Sequence, residues 1–290
     1  MKKFIIITDS NSGIHQNEAE NLGIKVIPMP FYINKKEFFE DISLDHKMFY
    51  SFLNDGVEVS TSQPSISYLT DLFDNLLKDY EQILYIPMSS GLSGTYSTAM
   101  VLANDYNGKV IVVDNKRISP TLKESVYEAI ALQKQNKTPL EIKQYLEDSK
   151  YKNSIYIMVP NVSYLKKGGR LTPTAALLAS MLRIKPVLYS NGDKFEKFAT
   201  PITIRQAKVK MIEQAKKDLE SLFKKEYENN EMALCVCYSE NQEEALEFKK
   251  EVEENIKGLD VTIFDPLSLS VACHIGPGAL AIALCVKKYK

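Results

Sequence analysis

The stretch Phe4-Ile5-Ile6-Ile7-Thr8-Asp9-Ser10 is a short, continuous apolar run that ends in three polar residues. Such runs are typical of strands that a parallel sheet buries on both faces, and the polar end suits a loop at the carboxyl edge of the sheet. Residues 83–87, before Met88-Ser89-Ser90-Gly91, and residues 109–113, before Asp114, have the same form. The sequence therefore predicts parallel strands whose polar loops gather at one edge, where ligands of such sheets bind.

Helical patterns alternate with these strands, at residues 44–53, 66–77, 94–104, 119–133 and 139–149. This alternation predicts an α/β lobe in which helices cover both faces of a parallel sheet. We assign residues 154–160 to the last strand of this lobe. The composition changes from apolar residues to basic residues and glycine at Lys166-Lys167-Gly168-Gly169-Arg170. We therefore place the domain boundary shortly before this segment, between residues 160 and 161.

Residues 161–290 predict a second α/β lobe, a sheet covered by helices on one face. The expected strands are residues 185–189, 194–199, 232–238, 261–264 and 279–286, and the expected helices are residues 205–224 and 242–256. Thr172 and Pro173 form a favourable N-cap and first position for a further helix over residues 174–182. That segment is apolar nearly all round, so we expect it to be buried or to line an apolar cavity.

Composition excludes several classes of function. The chain has 290 residues, a net charge of -1 and 25% charged residues, which gives no global field for nucleic acid. Its apolar stretches are too short to span a bilayer, and its N-terminal run is too short for a signal-peptide core. The four cysteines, Cys235, Cys237, Cys273 and Cys285, form no CxxC pair. We therefore predict a soluble cytoplasmic protein with reduced thiols and without a metal ion or cofactor.

Two hydroxyl-rich loops are candidates for anion binding. Residues 60–65 precede a predicted helix, and residues 89–95 follow a predicted strand and precede another helix. Hydroxyls and free backbone N–H groups at a helix start favour a carboxylate or phosphate. The alternative is that these residues only cap helices and stabilise turns.

The loop Gly91-Leu92-Ser93-Gly94-Thr95 also resembles a nucleophile elbow, but Thr95 replaces the second glycine of GxSxG, which disfavours a serine hydrolase. Neither GxxxxGK[ST] nor GxGxxG occurs, so ATP chemistry would need a partner. The main competing function is an enzyme that acts on a small phosphorylated metabolite bound at residues 89–95.

Two further polar residues are candidates. His274 lies in Cys273-His274-Ile275-Gly276-Pro277-Gly278, which predicts a tight turn that holds the imidazole at a pocket rim; a structural histidine is the alternative. Arg205 begins a charged helix, and for this residue the alternative is a solvated surface charge.

Five motifs follow one another along the whole chain: Thr8-Asp9-Ser10, Thr61-Ser62-Gln63-Pro64-Ser65, Ser89-Ser90-Gly91-Leu92-Ser93-Gly94-Thr95, Leu165-Lys166-Lys167-Gly168-Gly169-Arg170 and His274-Ile275-Gly276-Pro277-Gly278. In this order they resemble the motifs of the DegV family of bacterial fatty-acid-binding proteins. The resemblance implies two α/β domains, with one long-chain fatty acid in a tunnel and its carboxylate near the junction of the lobes.

The resemblance also implies roles for single residues and for partners. Thr61, Ser62, Ser93 and His274 would bind the carboxylate, and Arg205 and Arg170 would lie at the rim or face a kinase. The protein would be a non-enzymatic, monomeric lipid-binding subunit, in transient contact with the membrane surface at most. A separate fatty acid kinase subunit would use ATP to produce acyl phosphate for phospholipid synthesis.

The chain departs from the family pattern at two places. Ala272-Cys273 stands before the histidine, where the family often has a glycine and a small hydroxyl residue, and Gln206 follows Arg205, where a hydroxyl residue is common. These departures leave the carboxylate contacts in place but bear on the exact head-group geometry and on kinase docking.

Overall fold

The structure is a computed structural model that describes residues 2–164, 169–181 and 183–288. The chain forms two compact units, one ending at Lys150 and the other spanning Tyr151–Lys288. Residues 165–168, the first four residues of the motif that ends at Arg170, lie outside the described residues.

Strands and helices alternate along the first unit. In chain order they are β1 (Lys2–Asp9), α1 (Gln16–Leu22), β2 (Lys25–Ile27), β3 (Pro30–Ile33), β4 (Lys36–Phe39), α2 (His46–Asn54), β5 (Val59–Thr61), α3 (Ile66–Leu76), β6 (Tyr80–Ile86), α4 (Thr95–Ala103), β7 (Val110–Val112), α5 (Pro120–Lys134) and α6 (Pro139–Asp148). Four of the strands form a parallel sheet in the order β2-β1-β6-β7, which confirms the predicted parallel lobe.

Helices cover both faces of this sheet because alternate residues of its strands are apolar on each side. Ile5, Ile7 and Tyr85 pack in one cluster with Leu69 and Phe73 of α3 and with residues of α4. The intervening residues of the strands are also buried, and α5 and α6 contact β1, β6 and β7. Burial on both faces explains why the strands are continuous apolar runs and do not alternate.

A small antiparallel sheet, in the order β4-β3-β5, was not predicted. Its strands are three or four residues long, and Pro30 begins β3. Phe31 pairs with Phe38 of β4 and with Thr61 of β5. Thr61 therefore ends a strand of this small sheet, whereas the second hydroxyl-rich loop follows β6 of the parallel sheet.

The second unit contains one six-stranded sheet in the order β10-β9-β8-β13-β11-β12. Its elements are β8 (Asn153–Met158), α7 (Pro173–Ala176), β9 (Val187–Ser190), β10 (Glu196–Ala199), α8 (Ile204–Glu220), α9 (Lys224–Glu228), β11 (Met232–Tyr238), α10 (Gln242–Asn255), β12 (Val261–Pro266), α11 (Leu269–Ile275) and β13 (Leu280–Val286). Our assignment of residues 154–160 to the first sheet was wrong. Strand β8 pairs antiparallel with β13 and β9, because an apolar strand buried on both faces fits the centre of either sheet.

Helices α8 and α10 pack on the second sheet around Met211, Leu219, Phe248 and Val252. The segment after Pro173 differs from the prediction. Thr172 caps α7 as expected, but the helix continues as a short 3-10 helix from Leu177, whose side chain is 68% exposed. The first alternative, burial of the whole segment, is therefore wrong in the part that the structure describes, and the second, that it lines an apolar cavity, stays a prediction. No helix among the described residues is long and apolar enough to cross a membrane.

Candidate functional site

The first hydroxyl-rich loop leaves the small sheet at Thr61. The Ser62 N–H extends the strand ladder by donating to the Pro30 carbonyl at 3.1 Å, and the Ser62 hydroxyl donates to the Gln63 carbonyl at 3.1 Å. Ser65 caps α3, because its hydroxyl accepts from the Tyr68 N–H. The capping interpretation is therefore correct for Ser65, whereas Thr61 and Ser62 are partly buried residues outside the helix.

The second hydroxyl-rich loop joins β6 to α4. Ser89 and Ser90 have structural partners, since the Ser89 hydroxyl accepts from the Gly91 N–H and the Ser90 hydroxyl donates to Asp114 at 2.7 Å. The Ser93 hydroxyl lies 2.9 Å from the Thr95 hydroxyl and accepts from the Thr95 N–H at 3.2 Å. Ser93 is partly buried and Thr95 is fully buried. The Thr95 contact therefore fixes the Ser93 side chain at the start of α4.

Gln63 joins the two loops. Its side-chain amide donates to the Thr98 hydroxyl at 2.9 Å, and its Oε1 would lie only 2.7 Å from a Cβ atom placed on Gly94. The backbone angles of Gly94 are ones that any residue could adopt, so they do not explain the glycine. The contact with Gln63 does, because a larger residue at position 94 would push this amide away. Thr61 and Ser93 are thus on adjacent loops of the first unit, although 31 residues separate Gln63 from Gly94.

Asp9 fixes the carboxyl edge of the parallel sheet. Its carboxylate accepts from the Met88 N–H at 3.0 Å, and from the backbone and side-chain amides of Asn11 at 3.1 and 2.8 Å. Burial raises the pKa of Asp9 to about 6, although these hydrogen bonds oppose the shift. The Thr8-Asp9-Ser10 motif therefore ties β1 to the loop after β6, a role that the sequence did not assign to it.

In the second unit, His274 lies in the last turn of α11. We had predicted that it lies in the tight turn that follows, and this prediction is wrong. The turn itself begins at Gly276, which has a φ of 78° and faces the Tyr164 ring closely enough to exclude a Cβ atom. Ser239 stabilises the turn by donating to the Gly276 carbonyl at 2.7 Å and accepting from the Ala279 N–H at 2.8 Å. The end of α11 is therefore firmly held.

Arg170 acts on His274 electrostatically. Burial, together with a smaller effect of the positive charge of Arg170, lowers the pKa of His274 to about 4. The imidazole is consequently neutral at pH 7 and beside a cation. This proximity, which the sequence did not indicate, creates an environment that favours an anion.

Arg205 lies in the first turn of α8 and is exposed. In the described part of the chain it makes no ion pair. Thr203 caps the helix, because its hydroxyl accepts from the N–H of the following Gln206, and the Gln206 Oε1 accepts from the Ile202 N–H at 3.1 Å. The departure at position 206 therefore has a local structural function.

The structure thus places the Thr61-Ser62 loop next to the Ser93 loop in the first unit, and in the second unit it places Arg170 near enough to His274 to act on it electrostatically. Gln63 and Asp9 hold these loops but were not predicted to do so, although both occur in the motifs quoted above. Glycine at position 94, between two hydroxyl residues at a helix start, is the signal that could have indicated the contact with Gln63.

Comparison with known proteins places these features in a family. The model of the DegV family matches residues 3–287. A DegV domain-containing protein of Clostridium perfringens is 30% identical over 290 residues, covering 97% of each chain. Protein DegV of Bacillus subtilis is 29% identical, covering 97% of this chain and 99% of its own.

Solved structures share the fold. The structure of DegV, a fatty acid binding protein from Bacillus subtilis, has a TM-score of 0.84 at 27% identity and covers 99% of this chain and 100% of its own. A stearic acid-binding protein from Eubacterium ventriosum has a TM-score of 0.86 at 20% identity, covering 99% of both chains. At that identity the second likeness shows the fold alone.

Proposed function

This chain belongs to the DegV family, and we propose that it binds a long-chain fatty acid in a buried tunnel and presents the carboxylate to a separate kinase. The observation that carries the proposal is the Gln63 bridge, which holds the Thr61-Ser62 loop against the Ser93 loop. The fatty acid binding stated for the Bacillus subtilis relative supports the same ligand class.

We propose that Thr61, Ser62, Ser93 and His274 bind the carboxylate. A carboxylate outside bulk water needs several donors, and hydroxyls together with a neutral imidazole can supply them. The charge of Arg170 beside His274 favours the anion. Because the four proposed donors are uncharged, the head group is stabilised without being locked in an ion pair and stays available for phosphorylation.

The acyl chain would supply most of the affinity. Burying a chain of about 14 methylenes at roughly 0.8 kcal/mol each gives a gross gain on the order of 11 kcal/mol before ordering costs. The polar residues then determine how the head group is oriented. In this proposal the protein is a cytoplasmic, monomeric lipid-binding subunit without a catalytic step of its own, and the kinase converts the presented carboxylate into acyl phosphate for phospholipid synthesis.

Mass spectrometry of an organic extract from the purified protein tests the ligand class. We expect a co-purifying long-chain fatty acid at close to one molecule per chain. An empty protein that binds phosphate esters, and does not take up fatty acid when offered it, would instead support a small-metabolite enzyme at the Ser93 loop.

A comparison of a free fatty acid with its uncharged methyl ester tests the site. Loss of one donor leaves the carboxylate partly unsatisfied, at roughly 1–3 kcal/mol, so Ser93→Ala or His274→Ala should weaken acid binding about tenfold. Ester binding should barely change. If the residues contact one carboxylate, the double variant should lose less than the sum of the single losses. Equal losses for acid and ester would mean that these residues only shape the tunnel.

A further inference from the structure

A cavity in the first unit lies beside the small antiparallel sheet, and Ser62 and Gln63 of the first hydroxyl-rich loop form part of its wall. It has a volume of about 240 Å³, and its wall combines rings, prolines and one carboxylate. We call it the hairpin cavity, and its defining residues are Pro30, Tyr32, Glu37, Phe39, Pro64 and Tyr68. The volume is roughly eight times the share of liquid that one water occupies, which is enough for the end of a long side chain.

The charge in the wall of the hairpin cavity is negative. Glu37 is the only charged residue in its wall within the described chain, and no lysine or arginine lines it. Glu37 faces Tyr32 across the β3–β4 pair, and the Tyr32 hydroxyl donates to its carboxylate at 2.9 Å. This bond orients the carboxylate but leaves its charge uncompensated, since the described residues give Glu37 no basic partner. The cavity therefore favours a cation.

Aromatic rings strengthen that preference. Tyr32 and Tyr68 are 42% and 38% exposed, although large aromatic residues are usually more buried. The face of a tyrosine ring attracts a cation electrostatically, and a flat guanidinium can stack on it while its N–H groups bond a carboxylate. A guanidinium matches this combination better than an ammonium ion does, because only the guanidinium is planar.

The rim indicates where the guanidinium comes from. Ile66 lines the cavity and is 59% exposed, which adds an apolar contact that a small hydrophilic cation would not use. Tyrosine rings with an adjacent apolar residue are typical of the anchor points of protein interfaces, where arginine is enriched as the inserted residue. We propose that the hairpin cavity binds the side chain of an arginine on a partner protein. This proposal does not require fatty acid binding, although Ser62 belongs both to the wall of the cavity and to the proposed carboxylate-binding set.

The test uses the full-length protein and four acetylated, amidated probes: arginine, citrulline, Leu-Arg-Leu and Leu-citrulline-Leu. Citrulline has the shape of arginine without its charge. Titrations followed by the amide signals of Tyr32, Ser62 and Tyr68 should show saturable binding of Leu-Arg-Leu, with the citrulline peptide at least about fivefold weaker. Arginine alone should bind more weakly than Leu-Arg-Leu, because it lacks the flanking apolar groups.

Variants separate the parts of the cavity. Glu37→Gln should abolish the difference between arginine and citrulline, whereas the control Glu81→Gln, an exposed carboxylate on another strand, should retain it. Tyr32→Phe keeps the ring and releases the carboxylate, so binding should persist or become tighter. The proposal is overturned if the citrulline peptide binds equally well or if the signals that move lie outside the cavity. Equal affinity for arginine alone and Leu-Arg-Leu would overturn the protein partner in favour of a small cation.

Discussion

The Gln63 side-chain amide donates to the Thr98 hydroxyl at 2.9 Å, and this bond holds a loop of the small antiparallel sheet against the first turn of α4. Both loops that carry proposed carboxylate donors depend on it. The opposite atom of the amide, Oε1, packs against Gly94, so that a methyl group there would have to displace it. A single side chain therefore sets the spacing between the Thr61-Ser62 loop and Ser93.

Gln63→Leu should weaken fatty acid binding about three- to tenfold, because it removes the bond while keeping most of the volume. Gly94→Ala should have a similar effect by displacing the Gln63 amide. Since both changes act on one contact, their effects should not add. Affinities from displacement of a fluorescent fatty acid would measure this.

Gln82→Leu is the matched control, because Gln82 also donates through its side chain, to the Gly108 carbonyl at 3.2 Å, but lies outside both loops. Binding by this variant should equal that of the wild type. If Gln82→Leu and Gln63→Leu weaken binding alike, the loss reflects general destabilisation and the bridge has no specific role.

The sequence predicted the elements whose pattern is local. Strand β11 was expected at residues 232–238 and lies at Met232–Tyr238, and the predicted helix 242–256 corresponds to α10 at Gln242–Asn255. Short strands such as β2 and β4 were missed, because three or four residues do not establish a period. Strand β8 was assigned to the wrong sheet because its partner β13 lies more than a hundred residues away.

The candidate site shows the same division. The motifs indicated which residues bear donors, but not the contacts among them, since those depend on packing between distant segments. Helix α11 was read as part of a turn because glycine and proline at positions 276–278 dominate the local pattern. The influence of Arg170 on His274 depends on the fold of the second unit and has no sequence signature.

Arg170→Ala should raise the pKa of His274 from about 4, because it removes the nearby positive charge and leaves burial as the remaining cause. A bound fatty acid should also raise this pKa, since a carboxylate stabilises the imidazolium. Imidazole signals followed by NMR between pH 3 and 8 would measure both effects. His274→Gln identifies the resonance among the three histidines. A pKa that neither the substitution nor the ligand changes would contradict the proposed anion environment.

Asp9 should make stability depend on pH between its unfolded and folded pKa values. Its pKa is raised from 3.8 to about 6 by burial, so its favourable contribution is complete below pH 3.8 and is lost as the pH rises through 6. The difference between the unfolded and folded pKa values corresponds to roughly 3 kcal/mol in the free energy of unfolding. The stability of the wild type relative to Asp9→Asn, which carries no titrating group there, should fall by about that amount between pH 4 and 7.

Urea denaturation followed by circular dichroism at fixed pH would measure this difference, and the absence of tryptophan makes far-ultraviolet signals preferable to fluorescence. Asn11→Ala removes a donor that lowers the Asp9 pKa and should move the transition to higher pH. A constant difference between wild type and Asp9→Asn across this range would show that the buried carboxyl does not titrate as described.

Arg205→Ala should leave fatty acid binding nearly unchanged but slow phosphorylation at least about tenfold. An exposed arginine without an ion partner in the described chain contributes little to holding a buried acyl chain. It can, however, contact the kinase or stabilise the charge that develops during phosphoryl transfer.

The assay combines the protein, fatty acid, ATP and the kinase subunit and measures acyl phosphate, beside a separate lipid-binding titration. Lys216→Ala, which removes another exposed charge of α8, should retain both activities. If Arg205→Ala loses lipid binding and phosphorylation in the same proportion, Arg205 belongs to the lipid site and the two roles are not separate.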